Sequence, residues 1–252
     1  MTPLARLAAW TRTSAAYLVV GVYILVVGPP AVAIALITRR SAVLYWVGYA
    51  GVRLALGIPG IRVRAAGLEH VKIGRPTVYC ANHTSNVEPP ILFSLFRPLF
   101  PRLHVLYKAG LRKIPVLGFA FDIAGFIGVH RGDREQAAKA ITQAALTLRH
   151  GGSFVIFPEG TRSRTDELLT FKKGGFVMAL EAQAVIVPVA MLGGRAAMAR
   201  GSALVRPATV SVRFGEPIET VGRGYAHRDE LIAEVRREIA RLLALGPAEA
   251  LG

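Results

Sequence analysis

Two residues of this sequence are suited by type and spacing to moving a proton: His83 and, five positions on, Glu88. An imidazole that donates from one ring nitrogen to a carboxylate has the other nitrogen free to accept a proton from a hydroxyl. On one continuous helix, at about 100° per residue, the two side chains would point roughly 140° apart and could not meet. They can meet if His83 lies in a loop and Glu88 begins a helix. Pro89 favours that arrangement, because proline suits the first helical turn and pushes its predecessor out of the α region. The same pair also reads as a turn histidine beside a helix-starting acid, with no chemistry attached. Ser85 and Cys80 are alternative nucleophiles for a covalent route, although Cys80 sits where a small buried strand residue is expected.

The elements around the pair must deliver it to the rim of a sheet. Residues 77–81 are β-branched, aromatic and small, as in a buried strand, and Asn82, Thr84, Ser85 and Asn86 end it. A helix is expected over 89–96. Residues 61–65 alternate as a half-buried entry strand, and 103–107 form a strand ending at Lys108. Residues 125–131 form another strand, ending on Arg131. Asp133 with Gln136 starts a helix that Gly151 and Gly152 stop, and 153–157 is the next strand. Strand, helix and strand in sequence predict a right-handed βαβ unit with direct parallel pairing. Phe157-Pro158-Glu159-Gly160-Thr161-Arg162-Ser163 then falls at a strand's carboxyl end, where open α/β sheets place ligands. Gly160 lets backbone approach a ligand, and Arg162 offers a planar fork for phosphate. In strand 185–191, Pro188 predicts an edge, a strand end or a bulge. Residues 192–207 read as an irregular loop and 208–214 as a strand. Helix 228–245 presents Leu231, Val235, Ile239 and Leu242 on one face, with its arginines on a solvated one.

The chain of 252 residues suits one sizeable α/β core with an extension. The expected division is membrane-associated helices over 1–57 and a catalytic domain over 58–252. A net charge of +15 with 52% hydrophobic residues suits an anionic membrane surface or phosphorylated substrates. Scattered arginines without interleaved aromatics argue against nucleic acid. One cysteine excludes an internal disulfide framework, and six separated histidines make no metal site.

Residues 13–38 carry no charge and are long enough to cross a bilayer as a helix. Gly28-Pro29-Pro30 is expected to interrupt them, leaving arms of roughly 15 and 8 residues, neither of which spans alone. A second apolar stretch, 41–52, carries Tyr45, Trp46 and Tyr49. A kinked span, a hairpin dipping into one leaflet, and a signal peptide cleaved after Ala31-Val32-Ala33 are the three readings. The continuing apolar character after Ala33 favours the first two. Arginines on both sides of the segment favour both ends staying on one face.

Four motifs stand in order over about 110 residues: Asn82-His83-x4-Glu88, Gly125-x-Ile127-x3-Arg131, Phe157 to Ser163, and Val187-Pro188-Val189. Together they resemble the 1-acylglycerol-3-phosphate acyltransferases over roughly residues 53–214, Glu88 standing where that family usually has aspartate. Lys108 and Phe171-Lys172-Lys173-Gly174 are also similar. The resemblance implies a mixed, largely parallel sheet flanked by helices, with an N-terminal membrane-associated helical hairpin. It implies acyl transfer from acyl-CoA or acyl-acyl-carrier protein to the sn-2 hydroxyl of 1-acylglycerol-3-phosphate, making phosphatidic acid. His83 would be the base, oriented by Glu88. Arg131, Glu159, Gly160, Thr161 and Arg162 would bind the acceptor, and Lys108 would contact its phosphate. For Glu159, orienting an arginine or the acceptor hydroxyl and capping its own loop both stay open. The thioester is a co-substrate, and no cofactor or metal is expected. The expected partners are the lipid bilayer, a lysophospholipid and the thioester carrier, at the cytoplasmic face of the cell membrane. Another lyso-lipid or glycerol-3-phosphate as acceptor, an inactive lipid-binding relative, and a membrane-tethered nucleic-acid binder are the alternatives.

Overall fold

The computed structural model describes residues 2–130 and 132–248. Helices α1 (Pro3–Thr38) and α2 (Ala42–Gly57) open the chain. They are followed by β1 (Ile61–Ala66), β2 (Thr77–Ala81), α3 (Glu88–Leu95), β3 (Leu103–Lys108), α4 (Leu117–Ile123) and β4 (Ile127–Val129). Then come α5 (Arg134–Arg149), β5 (Ser153–Ile156), α6 (Gly174–Ala182), β6 (Val185–Leu192), α7 (Gly194–Ala197), β7 (Ala208–Phe214) and α8 (Arg228–Ala244).

The strands form one sheet in the order β1-β7-β6-β2-β5-β3-β4. All named pairings are parallel except β6 with β7. β2 lies in the interior, and its five residues are all buried. Alternate side chains serve the two faces, as the pleat requires. Tyr79 and Ala81 join a cluster with Tyr45 of α2 and Ile91 and Leu92 of α3. Val78 and Cys80 join the opposite cluster, with Ala144 of α5, Phe176 of α6 and Val235 of α8. Because β2 through β6 all run the same way, their carboxyl ends share one edge, and the loops that follow them meet there.

Four expectations are corrected. β4 and β5 are parallel but not neighbours: β3 lies between them, pairing with β5 through Leu103 to Val105 and with β4 through Leu106 to Lys108. The crossover through α5 therefore passes over one strand. Pro188 lies in an interior strand, and of the edge, strand end or bulge expected for it the bulge is found: Val187 and Pro188 face three residues, Gly215 to Pro217, on the β7 side. Its missing donor falls in a gap on the β7 side, between the Val189–Phe214 pair and the isolated Ile186–Ile218 bridge. Its carbonyl still accepts from Gly215 N at 2.8 Å. Residues 192–207 contain the short helix α7, and Arg236 of α8 is no mere solvated charge, because it donates to the carbonyls of Leu168 and Leu169.

The fourth correction concerns α1, which runs unbroken through Pro29 and Pro30 for 36 residues, roughly 54 Å at 1.5 Å per residue. Contacts before the prolines, and the burial of Ala31 and Ala35 after them, outweigh the two lost donors. Tyr17 OH donates to Ala203 O at 2.8 Å, and Tyr23 OH donates to Val47 O in α2 at 2.9 Å. Just before the prolines, Gly28 accepts the Val116 side chain so closely that a Cβ at Gly28 would lie 2.5 Å from it. The carbonyls deprived of partners belong to Leu25 and Val26, which are exposed. By length and composition α1 is apolar enough to cross a membrane, and most of its apolar surface is uncovered.

Candidate active site

β2 ends at Ala81, and the next residues turn sharply under the control of other strands. The Asn82 side-chain amide continues the ladder. Its Nδ2 donates to Met191 O at 3.0 Å, and its Oδ1 accepts from Met191 N at 2.7 Å. His83 N donates to Glu159 Oε1 at 2.8 Å, and His83 O accepts from Ser163 N at 2.7 Å. Ser85 Oγ donates to Met198 O at 2.7 Å. The loop is thereby fastened to the segments that follow β5 and β6, and α3 begins at Glu88 as its prolines favour.

This turn brings His83 and Glu88 together, with Nδ1 2.8 Å from Glu88 Oε2. The carboxylate is fully buried, whereas the imidazole keeps 15% of its surface exposed. A buried carboxylate is tolerated only when donors surround it. Here Oε2 also accepts from Thr84 N at 2.8 Å, and Oε1 accepts from Thr84 Oγ1 at 2.6 Å. With Nδ1–H held by the carboxylate, Nε2 carries the free lone pair. The ring also packs on Phe157, with centroids 4.2 Å apart. The pair is built to orient a base.

Glu159, the other buried acid, uses both oxygens on backbone: Oε1 takes His83 N, and Oε2 takes Leu169 N at 3.0 Å. Of the two roles open in the sequence, these are the bonds of a loop cap. Burial raises its carboxyl above the usual range, and the two N–H bonds oppose that rise. Burial, and secondarily the Glu159 charge, pushes the Cys80 thiol upward, which suits a packing residue better than a nucleophile.

Lys108, Gly160, Thr161 and Arg162 are spread along the same edge. Lys108 is exposed at the end of β3, and Thr161 and Arg162 are partly buried in the loop after β5. Arg162 is fixed through its backbone, its carbonyl accepting from Arg200 Nη1 at 2.7 Å. Gly160 has φ +67°, and a Cβ there would lie 2.7 Å from Lys172 Cε, so the glycine admits the Lys172 side chain against the loop. Arg131 lies outside the described residues; β4, which it follows in sequence, ends at Val129. Beside the ends of β3 and β4, Arg112, Lys113, His130 and Lys139 line a cleft together with Asp122, which is paired with Arg112 at 2.9 Å. Sequence reasoning missed the parts played by Thr84, Ser163 and Lys172. Thr84 and Ser163 act through local or backbone bonds that spacing does not reveal, while Lys172 had a signal in the Phe171-Lys172-Lys173-Gly174 segment.

A family model described as Acyltransferase matches residues 62–192, which include the His83–Glu88 pair and the whole loop through Arg162. The chain belongs to the acyltransferase family. Among its relatives, a chloroplastic 1-acyl-sn-glycerol-3-phosphate acyltransferase of Arabidopsis thaliana is 30% identical over 189 residues, 74% of this chain and 51% of that one. An enzyme of Borreliella burgdorferi with the same description is 32% identical over 140 residues, 56% of this chain and 55% of its own. The acyltransferase chain thus spans about half the length of these curated relatives. In fold it is similar to the crystal structure of the 1-acyl-sn-glycerophosphate (LPA) acyltransferase PlsC from Thermotoga maritima. The TM-score is 0.81 at 22% identity, covering 97% of this chain and 99% of that one.

Proposed function

We propose that this acyltransferase moves a fatty acyl group from acyl-CoA or acyl-acyl-carrier protein to the sn-2 hydroxyl of 1-acylglycerol-3-phosphate, making phosphatidic acid. The observation that carries the reading is the buried Glu88 carboxylate, which accepts three hydrogen bonds and holds His83 through Nδ1, leaving Nε2 free to take a proton. The relatives' descriptions supply the acceptor.

In this mechanism the acceptor hydroxyl oxygen attacks the thioester carbonyl while Nε2 takes its proton. Glu88 stabilises the imidazolium that forms. The tetrahedral oxyanion collapses, the C–S bond breaks, and the imidazolium returns the proton to the leaving thiolate. Direct attack needs no acyl-enzyme, no cofactor and no metal. Arg131 and Arg162 hold the acceptor phosphate, with Lys108 as a further contact. Glu159, capping the His83 loop, places the base, and Gly160 and Thr161 shape the loop beside it. The exposed apolar face of α1, with Leu18, Leu25 and Val26, anchors the enzyme in the bilayer, and the basic surface favours the cytoplasmic face.

Detergent-purified protein supplied with an acyl thioester and a panel of phosphorylated and unphosphorylated acceptors tests the reading, free thiol and lipid product being followed together. Thiol release that depends on 1-acylglycerol-3-phosphate is expected. Release with only unphosphorylated lyso-lipids, or with none of the acceptors, overturns the acceptor assignment.

A further inference from the structure

Two adjacent glycines follow β6, and they are glycine for different reasons. Gly193 has φ +87°, and a Cβ there would lie 2.5 Å from Thr209 O of β7, so both backbone conformation and space require it. Gly194 has no positive φ and is the first residue of α7. Its backbone would accept any residue, and alanine would favour a helix by up to about 1 kcal/mol. Space alone excludes a side chain. A Cβ on Gly194 would lie 2.2 Å from Glu88 Oε1, 3.0 Å from Glu88 Cδ and 3.1 Å from Thr84 Oγ1.

Both sides of this contact are fastened. Glu88 is fully buried and tied by three hydrogen bonds. Behind Gly194, α7 is tied by Arg206 N donating to Ala197 O at 2.8 Å and by Ser85 Oγ donating to Met198 O at 2.7 Å. We infer that Gly194 is a positioning residue for the base: its missing side chain is the space into which the longer glutamate extends while its other oxygen still meets His83. The inference rests on the acyltransferase reading above for its kinetic arm only. A shorter aspartate at 88 would draw the carboxylate away from Gly194, so the need for glycine at 194 belongs to the glutamate.

The test is a cycle of Gly194→Ala, Glu88→Asp and the double variant. Each is assayed for kcat and KM and examined by nitrogen NMR of histidine-labelled protein for the His83 tautomer. Gly194→Ala is expected to lower kcat about 100-fold, as displacements near 1 Å do, with KM little changed. It should also remove the single Nδ1-protonated tautomer. Adding Glu88→Asp to Gly194→Ala is expected to restore that tautomer and raise kcat at least about tenfold. If Gly194→Ala alone does not fold, the double variant must fold and show the Nδ1-protonated ring. Gly194→Ala with wild-type kcat and tautomer overturns the inference, as does a double variant no better than Gly194→Ala. The tautomer is read without any acceptor, so an error in the proposed substrate leaves this test intact.

Discussion

Replacing Glu88 with glutamine isolates the part played by its charge. Two N–H donors, His83 Nδ1 and Thr84 N, converge on Oε2, so the glutamine oxygen must take that place. The amide nitrogen then occupies the Oε1 position, where the Thr84 hydroxyl can turn to accept instead of donate. The shape and the His83 tautomer survive, and only the charge facing the imidazolium is lost. Opposite charges about 4 Å apart attract by about 4 kcal/mol at an effective dielectric of 20. The imidazole is 15% exposed, and proton transfer is incomplete in the transition state, so that figure is a ceiling. The expected result is a kcat lowered by up to about a thousandfold, with little change in KM and an unchanged fold. Thiol release with saturating thioester and 1-acylglycerol-3-phosphate measures it. A Glu88→Gln enzyme within about threefold of wild type would refute the electrostatic reasoning.

Further expectations follow from the same geometry. Glu159→Gln must turn an amide N–H toward one of the two backbone donors it now accepts, leaving that N–H unpaired at about 1–3 kcal/mol of stability, read by denaturant unfolding. The Glu159 carboxyl is raised in the fold, so its pH-linked contribution is full below the unfolded value near about 4.3 and is lost as pH rises through the folded one. The stability gap between wild type and Glu159→Gln should therefore narrow with rising pH over that window; a widening gap contradicts it. Cys80 should react with maleimide only on unfolding, and an acyl group trapped on it in folded protein would contradict direct transfer. Glutamate at both Leu25 and Val26, each well exposed on α1, should weaken sedimentation with anionic vesicles at least about tenfold. Unchanged sedimentation would move the membrane contact elsewhere.

Much of this architecture is legible in the sequence wherever local signals agree with the fold. β2, β7, the α5 cap at Asp133 and the buried stripe of α8 match their expected positions because period, capping and composition all point one way. Long-range arrangement is less visible. Nothing in residues 125–157 says that β3 inserts between β4 and β5, and Pro188 signals an interrupted ladder without saying which neighbour lies across it. Pro29 and Pro30 carry a true local signal that contacts from Tyr17, Tyr23 and Gly28 override. The proximity of His83 and Glu88 follows from loop and helix-start signals. The closeness of Gly194, about a hundred residues away, does not, because packing between distant segments leaves no periodic trace.

The central claim is that Nε2 of His83 takes the acceptor's proton. Its most direct test is the kcat of His83→Gln at saturating thioester and 1-acylglycerol-3-phosphate, beside wild type in the same detergent. A loss of about 10²–10⁴-fold with both KM values nearly unchanged is the expected result. A His83→Gln enzyme that still makes phosphatidic acid at the wild-type rate would contradict the account.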